Sequence, residues 1–347
     1  MRLSHESIFS SSIRSFCIAF FALLGICLSL MIVILFLGGV LGSGKKGIVS
    51  NYTYEILPDA NFQRELLSFH SPVILQIDIH GVIGLEELTA ESIRSQLVES
   101  NEGIIQGGRV KAILLNINSP GGVVFDADAI YQTLMEYKKL HKIPIYAYVD
   151  GLCASGGLYI ASAADKIYAS DISVIGSVGV ISQFFNVSEL LNKVGVKALS
   201  LTEGKDKDAM NPFRPWGPSE DENYKELDRY FYNRFVDIVV KARTRISKNI
   251  LIEEYGAKVF PAPLALEHGF IDVAGASWTD AIKALAEVAH ISPDSPYQIM
   301  RLKHDRWLGD LFSAQSFIAP KTCIHKLELP QGCDVRLANK SLYLYQP

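Results

Sequence analysis

VDGLCASGGLYIASAADKIYASDISVIGSVGV, residues 149–180, is the stretch on which the fold turns. It opens at the end of an apolar run, passes a small-residue turn, enters a helix-like segment and closes in a second glycine-serine turn. Ser155 stands in the first turn with Gly156 and Gly157 behind it. Ser177 stands in the second, between Gly176 and Gly179. A serine held where a strand gives way to a helix, followed by glycine, presents one hydroxyl and leaves backbone N–H groups free beside it. A glycine-rich turn between elements is also common punctuation, so the rest of the chain must decide.

Upstream, strand-like runs occupy 72–79 (PVILQIDI), 110–117 (VKAILLNI) and 143–149. Segments with helical spacing, 86–99 and 126–140, alternate with them, the second carrying Ile130, Leu134 and Tyr137 on one face. Between strand and helix, 118–122 (NSPGG) reads as a tight turn. Downstream, the spacing predicts a helix from about 156, strands at 166–170 and 178–182, a helix starting over 189–194 and a short strand at 197–201. A polar loop, 202–218, separates these from a long amphipathic helix, 219–247. Residues 260–275 read as loop, short helix and short strand, and 280–289 as a further helix. Strands alternating with helices of this length predict an α/β fold built on parallel strands covered on both faces.

Residues 15–44 contain no charge, and 16–41 are almost continuously apolar. That run exceeds the roughly 20 residues needed to cross a bilayer and the shorter apolar core of a cleaved signal peptide. One uncleaved membrane anchor is therefore expected. Arg2 and Arg14 before it are balanced by Lys45 and Lys46 after it, so the positive-inside rule does not orient it. The expected organisation is a tail and anchor over 1–44, a tether over 45–71, a main domain over 72–292 and an extension over 293–347.

With 33 Lys and Arg against 37 Asp and Glu, spread along the chain, there is no electrostatic case for nucleic acid. No His, Cys or Glu spacing suggests a metal site. Walker and dinucleotide fingerprints are missing too, so no metal or cofactor is expected. Of the five cysteines, Cys17 and Cys27 lie in the apolar run, where a thiol is a small hydrophobe. Cys323 and Cys333 flank a polar loop and are candidates for a disulfide in an oxidising compartment. Cys153 competes with Ser155 as a nucleophile but reads as a buried small residue.

A nucleophilic serine needs a base. Among eight histidines, only His80, beside Gly81, is a candidate, and it reads better as a strand end. Cys153 replaces the first glycine of a Gly-x-Ser-x-Gly elbow, which argues against a hydrolase-type triad. Lysine serves instead where burial disfavours its ammonium form. The loop offers Lys205 and Lys207, two residues that would ordinarily be solvated among acids.

Several motifs together resemble the signal peptide peptidase (SppA) family of membrane-anchored Ser-Lys proteases. They are NSPGG (118–122), CASGG (153–157), IGSVGV (175–180), GKDKDAMNPFRP (204–215) and a late stretch, 260–275, with G-x-x-D at Gly269–Asp272. The resemblance covers 72–275 with the motifs in family order. It implies a ClpP/crotonase-like fold with repeated ββα units. It places the nucleophile on Ser155, the general-base lysine on Lys207, its supporting hydroxyl on Ser177, and an oxyanion hole on the backbone N–H groups of Gly122 and Gly156. It implies apolar peptide substrates such as signal-peptide remnants, a catalytic domain outside the cytoplasm on the inner membrane, and a bowl-like homo-oligomer such as an octamer. The relatives complete their sites between neighbouring subunits, so Lys207 serves Ser155 of its own chain or of a neighbour. The alternatives are a crotonase-type acyl-CoA enzyme and a catalytically inactive membrane scaffold.

Overall fold

The computed structural model describes residues 8–41, 52–292, 295–304 and 341–345. They fall into two units, 1–51 and 52–347. The first contains one helix, α1 (Ile8–Leu41). Its segment Ser12–Val33 has a mean hydropathy of 2.8 and no buried residues, so it is long and apolar enough to cross a membrane.

The second unit is an α/β fold. Its strands are β1 (Tyr52–Leu57), β2 (Val73–Ile83), β3 (Val110–Val123), β4 (Ile145–Ala154), β5 (Lys166–Ala169), β6 (Val174–Gly176), β7 (Ile181–Ser182), β8 (Val259–Pro261), β9 (Val273–Ala274), β10 (Gln298–His304) and β11 (Ser341–Leu344). The main sheet has the order β1-β10-β2-β3-β4-β5-β9. All of its neighbours are parallel except β1, which runs antiparallel to β10 at the edge. Helices α2 (Ala90–Glu102) and α3 (Val124–His141) make the crossovers between the first central strands. They are followed by α4 (Gly156–Ala161), α5 (Ser188–Lys193), α6 (Glu222–Ala242), α7 (Lys248–Ile250), α8 (Ala262–His268) and α9 (Trp278–Val288).

The strands are apolar on both faces because both faces are covered. On one face Leu75, Ile77 and Ile79 of β2 join Ile113, Leu115 and Ile117 of β3 and Ala147 and Val149 of β4, beneath α3, α4 and α6. On the other, Ile74, Ala112, Leu114, Tyr146 and Tyr148 meet Ile282 and Leu285 of α9. The period of two sends alternate residues to opposite cores. Helix α9 is fixed at its start by a reciprocal capping box between Ser277 and Asp280.

Several expectations change in the folded chain. NSPGG is not a turn: β3 stays extended through it to Val123, held by β2 on one side and β11 on the other. Strand β2 likewise runs on to Ile83, so His80 lies inside it instead of ending it. Of the strand expected over 178–182 only its end forms, as β7, while β6 lies before it, with Ser177 between the two in a left-handed conformation, φ 58°. No strand forms at 197–201, where every residue is exposed. The long helix ends at Ala242, because Arg243 leaves helical geometry, and one π-helical turn, Leu251–Tyr255, follows α7. Strand β1 comes from the stretch read as a tether, and β10 and β11 come from the extension. Cys323 and Cys333 lie outside the described residues.

Candidate active site

Ser155 is the hinge between β4 and α4. It holds φ 53° and ψ −117°, a combination that costs a residue bearing a Cβ of order 1–3 kcal/mol. Two backbone bonds enforce it. The Ser155 N–H donates to the Gly176 carbonyl at 2.8 Å, and the Ser155 carbonyl accepts from the Tyr159 N–H at 3.0 Å, closing the first turn of α4. Strain maintained in this way marks a residue whose position matters more than its comfort. Cys153, two residues earlier, is fully buried, and burial pushes its thiol up to about 12. It stays protonated at neutral pH and is no rival nucleophile.

Strands β4 and β6 run parallel, with Ala154 opposite Gly176, which sets the two serine turns side by side. Ser177 is buried, its N–H donating to the Lys258 carbonyl at 2.7 Å. The end of β3 forms the third wall. A Cβ on Gly121 would lie 2.7 Å from the Gly156 nitrogen, and one on Gly122 would lie 2.1 Å from the Ile83 carbonyl oxygen. Only glycines allow this approach of backbone to backbone. Thus Ser155, Ser177, Gly122 and Gly156 are brought together.

Lys207 is not. It is exposed in the loop 202–218, with no hydrogen bond or ion pair to Ser155 among the described residues. The loop is nevertheless built around one residue. The Arg214 guanidinium donates to the Asp208 carboxylate at 2.6 Å, to the Asp208 carbonyl, and to both carboxylate oxygens of Glu220 at 2.7 and 2.9 Å. Asn211 adds a bond to Asp208, and the Trp216 indole N–H donates to the Asn211 carbonyl. The Arg214 guanidinium and the Gly217 N–H hold the Glu220 carboxyl down at about 2, and Asp208 is lowered by the same arginine. Lys205 is exposed as well. His80 is exposed and bonds Asn116 at 3.1 Å, away from Ser155.

Two features were missed from sequence. Asp272, in the G-x-x-D motif, accepts from the Ile167 N–H and from the buried Arg243 guanidinium at 2.6 Å, so it pins β5 to the end of α6. The second feature is β11, which pairs antiparallel with the end of β3, Leu342 opposite Val123, Tyr343 opposite Gly122 and Leu344 opposite Gly121. Its alternating SLYLY sequence is a strand signal of period two that could have been read. Among the described residues, no group of three or more His, Cys, Asp or Glu is arranged to hold a metal ion.

A parallel α/β sheet that presents a strained serine at a strand-to-helix turn, walled by glycines, is the arrangement expected of a ClpP-like serine peptidase. Residues 137–292 match the model of peptidase family S49, and residues 79–174 match that of Clp protease. A protein of Enterococcus faecium bearing the name signal peptide peptidase SppA is 32% identical over 254 residues, covering 68% of this chain and 70% of that one. A protein of Methanocaldococcus jannaschii named as a protease is 33% identical over 183 residues, 53% of this chain and 58% of that one. Protease 4 of Haemophilus influenzae is 31% identical over 191 residues, 54% of this chain and 30% of its own length. The chain belongs to peptidase family S49, the family of signal peptide peptidase SppA.

Proposed function

We propose that the chain is a membrane-anchored endopeptidase with a Ser155–Lys207 dyad, acting on apolar peptides such as signal-peptide remnants. The observation that carries this reading is Ser155, strained at the mouth of α4 beside Gly156 and the glycines that end β3, and the oxyanion hole is assigned to the N–H groups of Gly156 and Gly122. Lys207 takes the proton of the Ser155 hydroxyl as its oxygen attacks the peptide carbonyl. The charge that develops on the carbonyl oxygen is met by the two glycine N–H groups, donors already fixed in place. The amine leaves with the proton, and water then releases the acyl group from Ser155. Ser177 holds the lysine.

A lysine serves as a base only where it is shielded from water. In the single chain Lys207 is exposed, so a second copy must supply that cover. The surface around the loop supports association, because Phe185, Leu190, Val194, Leu199, Leu201 and Phe213 are all more than half exposed. A stretch this apolar marks an interaction surface. Helix α1 anchors the chain, with the peptidase unit on the extracytoplasmic side and several copies closing into a bowl.

The test is cleavage of a fluorogenic peptide with an apolar, signal-peptide-like core by the detergent-solubilised protein. Ser155→Ala and Lys207→Ala should each lower kcat by at least about 10³-fold, the scale on which loss of a nucleophile or base acts. Unchanged cleavage in both variants would remove the dyad.

A further inference from the structure

Two serines close to the site are fully buried and play no part in the proposed dyad: Ser119 on β3 and Ser173 just before β6. Both stand where neighbouring parallel strands fall out of step. Between the pairs His80–Asn118 and Val82–Gly121, Gly81 of β2 alone faces Ser119 and Pro120 of β3. Between the pairs Ile117–Val149 and Ser119–Cys153, Asn118 alone faces Asp150, Gly151 and Leu152 of β4. Extra residues of this kind bend a strand and leave backbone groups without ladder partners.

The two hydroxyls take up those groups. Ser119 Oγ donates to the Gly81 carbonyl at 2.7 Å and accepts from the Gly121 N–H at 3.1 Å. Ser173 Oγ donates to the Val149 carbonyl at 2.9 Å and accepts from the Gly151 N–H at 3.3 Å, and Ser170 Oγ lies 2.8 Å from it. Asn118 completes the second bulge. Its Oδ1 accepts from the Leu152 N–H at 3.2 Å and lies 2.9 Å from where a Gly151 Cβ would stand. Each serine gives its one hydrogen to a carbonyl, so neither hydroxyl is spare for chemistry.

Their place in the ladder gives them another task. Ser119–Cys153 is the last pair that β3 and β4 share. Two residues beyond it on β3 is Gly121, and two beyond it on β4 is Ser155. The height of the nucleophile against the glycines is therefore set at this pair, and the bulges decide which residues meet there. With the register unbroken from Ile117–Val149, Gly151 would face Ser119, and Ser155 would stand two residues too far along. Ser119 also reaches both halves of the site. Its carbonyl lies 2.9 Å from where a Gly157 Cβ would stand, so it packs on the first turn of α4. Its bond to Gly121 fixes the amide immediately before the one assigned to the oxyanion hole.

We propose that Ser119 and Ser173 are positioning residues, which lock two strand bulges and so hold Ser155 level with the donors of the oxyanion hole. This rests on the peptidase reading above. Such donors serve a transition state because they are fixed in place beforehand, and a displacement of about 1 Å, even from a change far from the chemistry, costs about 10²-fold. Binding of the peptide in its ground state depends on the whole groove, so the loss falls on kcat.

The test uses the full-length protein in detergent, the fluorogenic peptide described above and the aldehyde of the same sequence. The aldehyde binds as a tetrahedral adduct of Ser155 and so reports on the oxyanion hole. Preparations are compared per active serine, counted by labelling to completion with a fluorophosphonate. Ser119→Ala, Ser119→Cys and Ser173→Ala should each lower kcat about tenfold or more and leave KM within about threefold of the parent. They should weaken the aldehyde in step with kcat/KM. Ser119→Cys keeps the shape of the side chain, so it carries the test should the alanine variant fail to fold. Ser100→Ala, similarly buried in α2 and bonded to Tyr137, should leave kcat unchanged. Unchanged kcat in a folded Ser119 variant would overturn the proposal. So would a rise in KM alone, or an equal fall in Ser100→Ala, since either would mark general loosening. A parent that neither cleaves nor is labelled would remove the peptidase reading and this one with it.

Discussion

At Ser155 the backbone is held at φ 53° and ψ −117° by bonds to Gly176 and Tyr159. The same bonds exist whatever side chain stands there, so the strain belongs to the Cβ and not to the hydroxyl. Replacing the residue with glycine removes that Cβ. Ser155→Gly should therefore stabilise the fold by about 1 kcal/mol, a Tm rise of about 2–4 °C for a unit of this size. Ser155→Ala, which retains the Cβ, should leave Tm unchanged. Both should lose peptidase activity. Differential scanning calorimetry of the two variants beside the parent decides it; a Ser155→Gly protein no more stable than Ser155→Ala would show that the turn carries no strain. Gly122 gives the opposite case. Its Cβ would strike the Ile83 carbonyl oxygen at 2.1 Å, backbone that cannot swing aside. Gly122→Ala should lower Tm and abolish peptide cleavage together, whereas Ser155→Ala should abolish only the second.

The element that matters next is the loop 202–218, whose order rests on charge. Arg214 bridges Asp208 and Glu220, and Glu220 is held at about 2 against an ordinary value of 4.5. A carboxyl lowered on folding contributes its full stabilisation above the ordinary value and loses it as pH falls toward the folded value. The loop should stay ordered from neutrality to about pH 4.5 and loosen between there and about 2, read from hydrogen exchange at Met210 and Gly217, whose N–H groups bond Glu220. Arg214→Ala should remove that protection at neutral pH and lower activity while leaving the exchange of β2 and β3 intact. Unchanged protection at Met210 would mean that the ion pairs are incidental. The sequence displayed this loop as polar and unstructured, since no periodic pattern betrays a hub that joins Asp208, Arg214 and Glu220. The sheet was far more legible. Apolar runs at β2, β3 and β4 and the helical spacing between them fixed the class, and the serine-glycine turns located Ser155 and Ser177. Illegible were the pairings that depend on distant residues. NSPGG looks like a turn until β2 and β11 flank it, and the isolated run 197–201 looks like a strand but meets no edge among the described residues. Asp272 belonged to a recognisable motif, yet its partner Arg243 could not be found from spacing.

On the scale of the whole molecule, one chain holds all the parts of the proposed dyad without joining them. Ser155 lies buried among β3, β4 and α4, while Lys207 stands exposed on a firmly bonded loop beside a run of uncovered apolar residues. A loop already ordered by Arg214 has little reason to fold back through the chain's own surface to reach Ser155. Docking it on a neighbour covers the apolar residues and removes water from Lys207 in one event. That arrangement has a signature in mixed assemblies. Ser155→Ala chains retain the lysine, and Lys207→Ala chains retain the serine, so each is inactive alone. Co-expressed in equal amounts and purified as mixed oligomers, they should regain about a quarter of the parent activity, since a ring of repeated head-to-tail contacts pairs an intact serine with an intact lysine at one site in four. If the dyad formed within a chain, no site in the mixture would hold both groups and activity would stay at the background of the single variants. A third variant, Leu199→Asp with Leu201→Asp, separates association from chemistry. It should shift the protein to smaller species by sedimentation in detergent and silence it, although Ser155, Ser177 and Lys207 are all intact. An active monomer of that variant would return the lysine to its own chain.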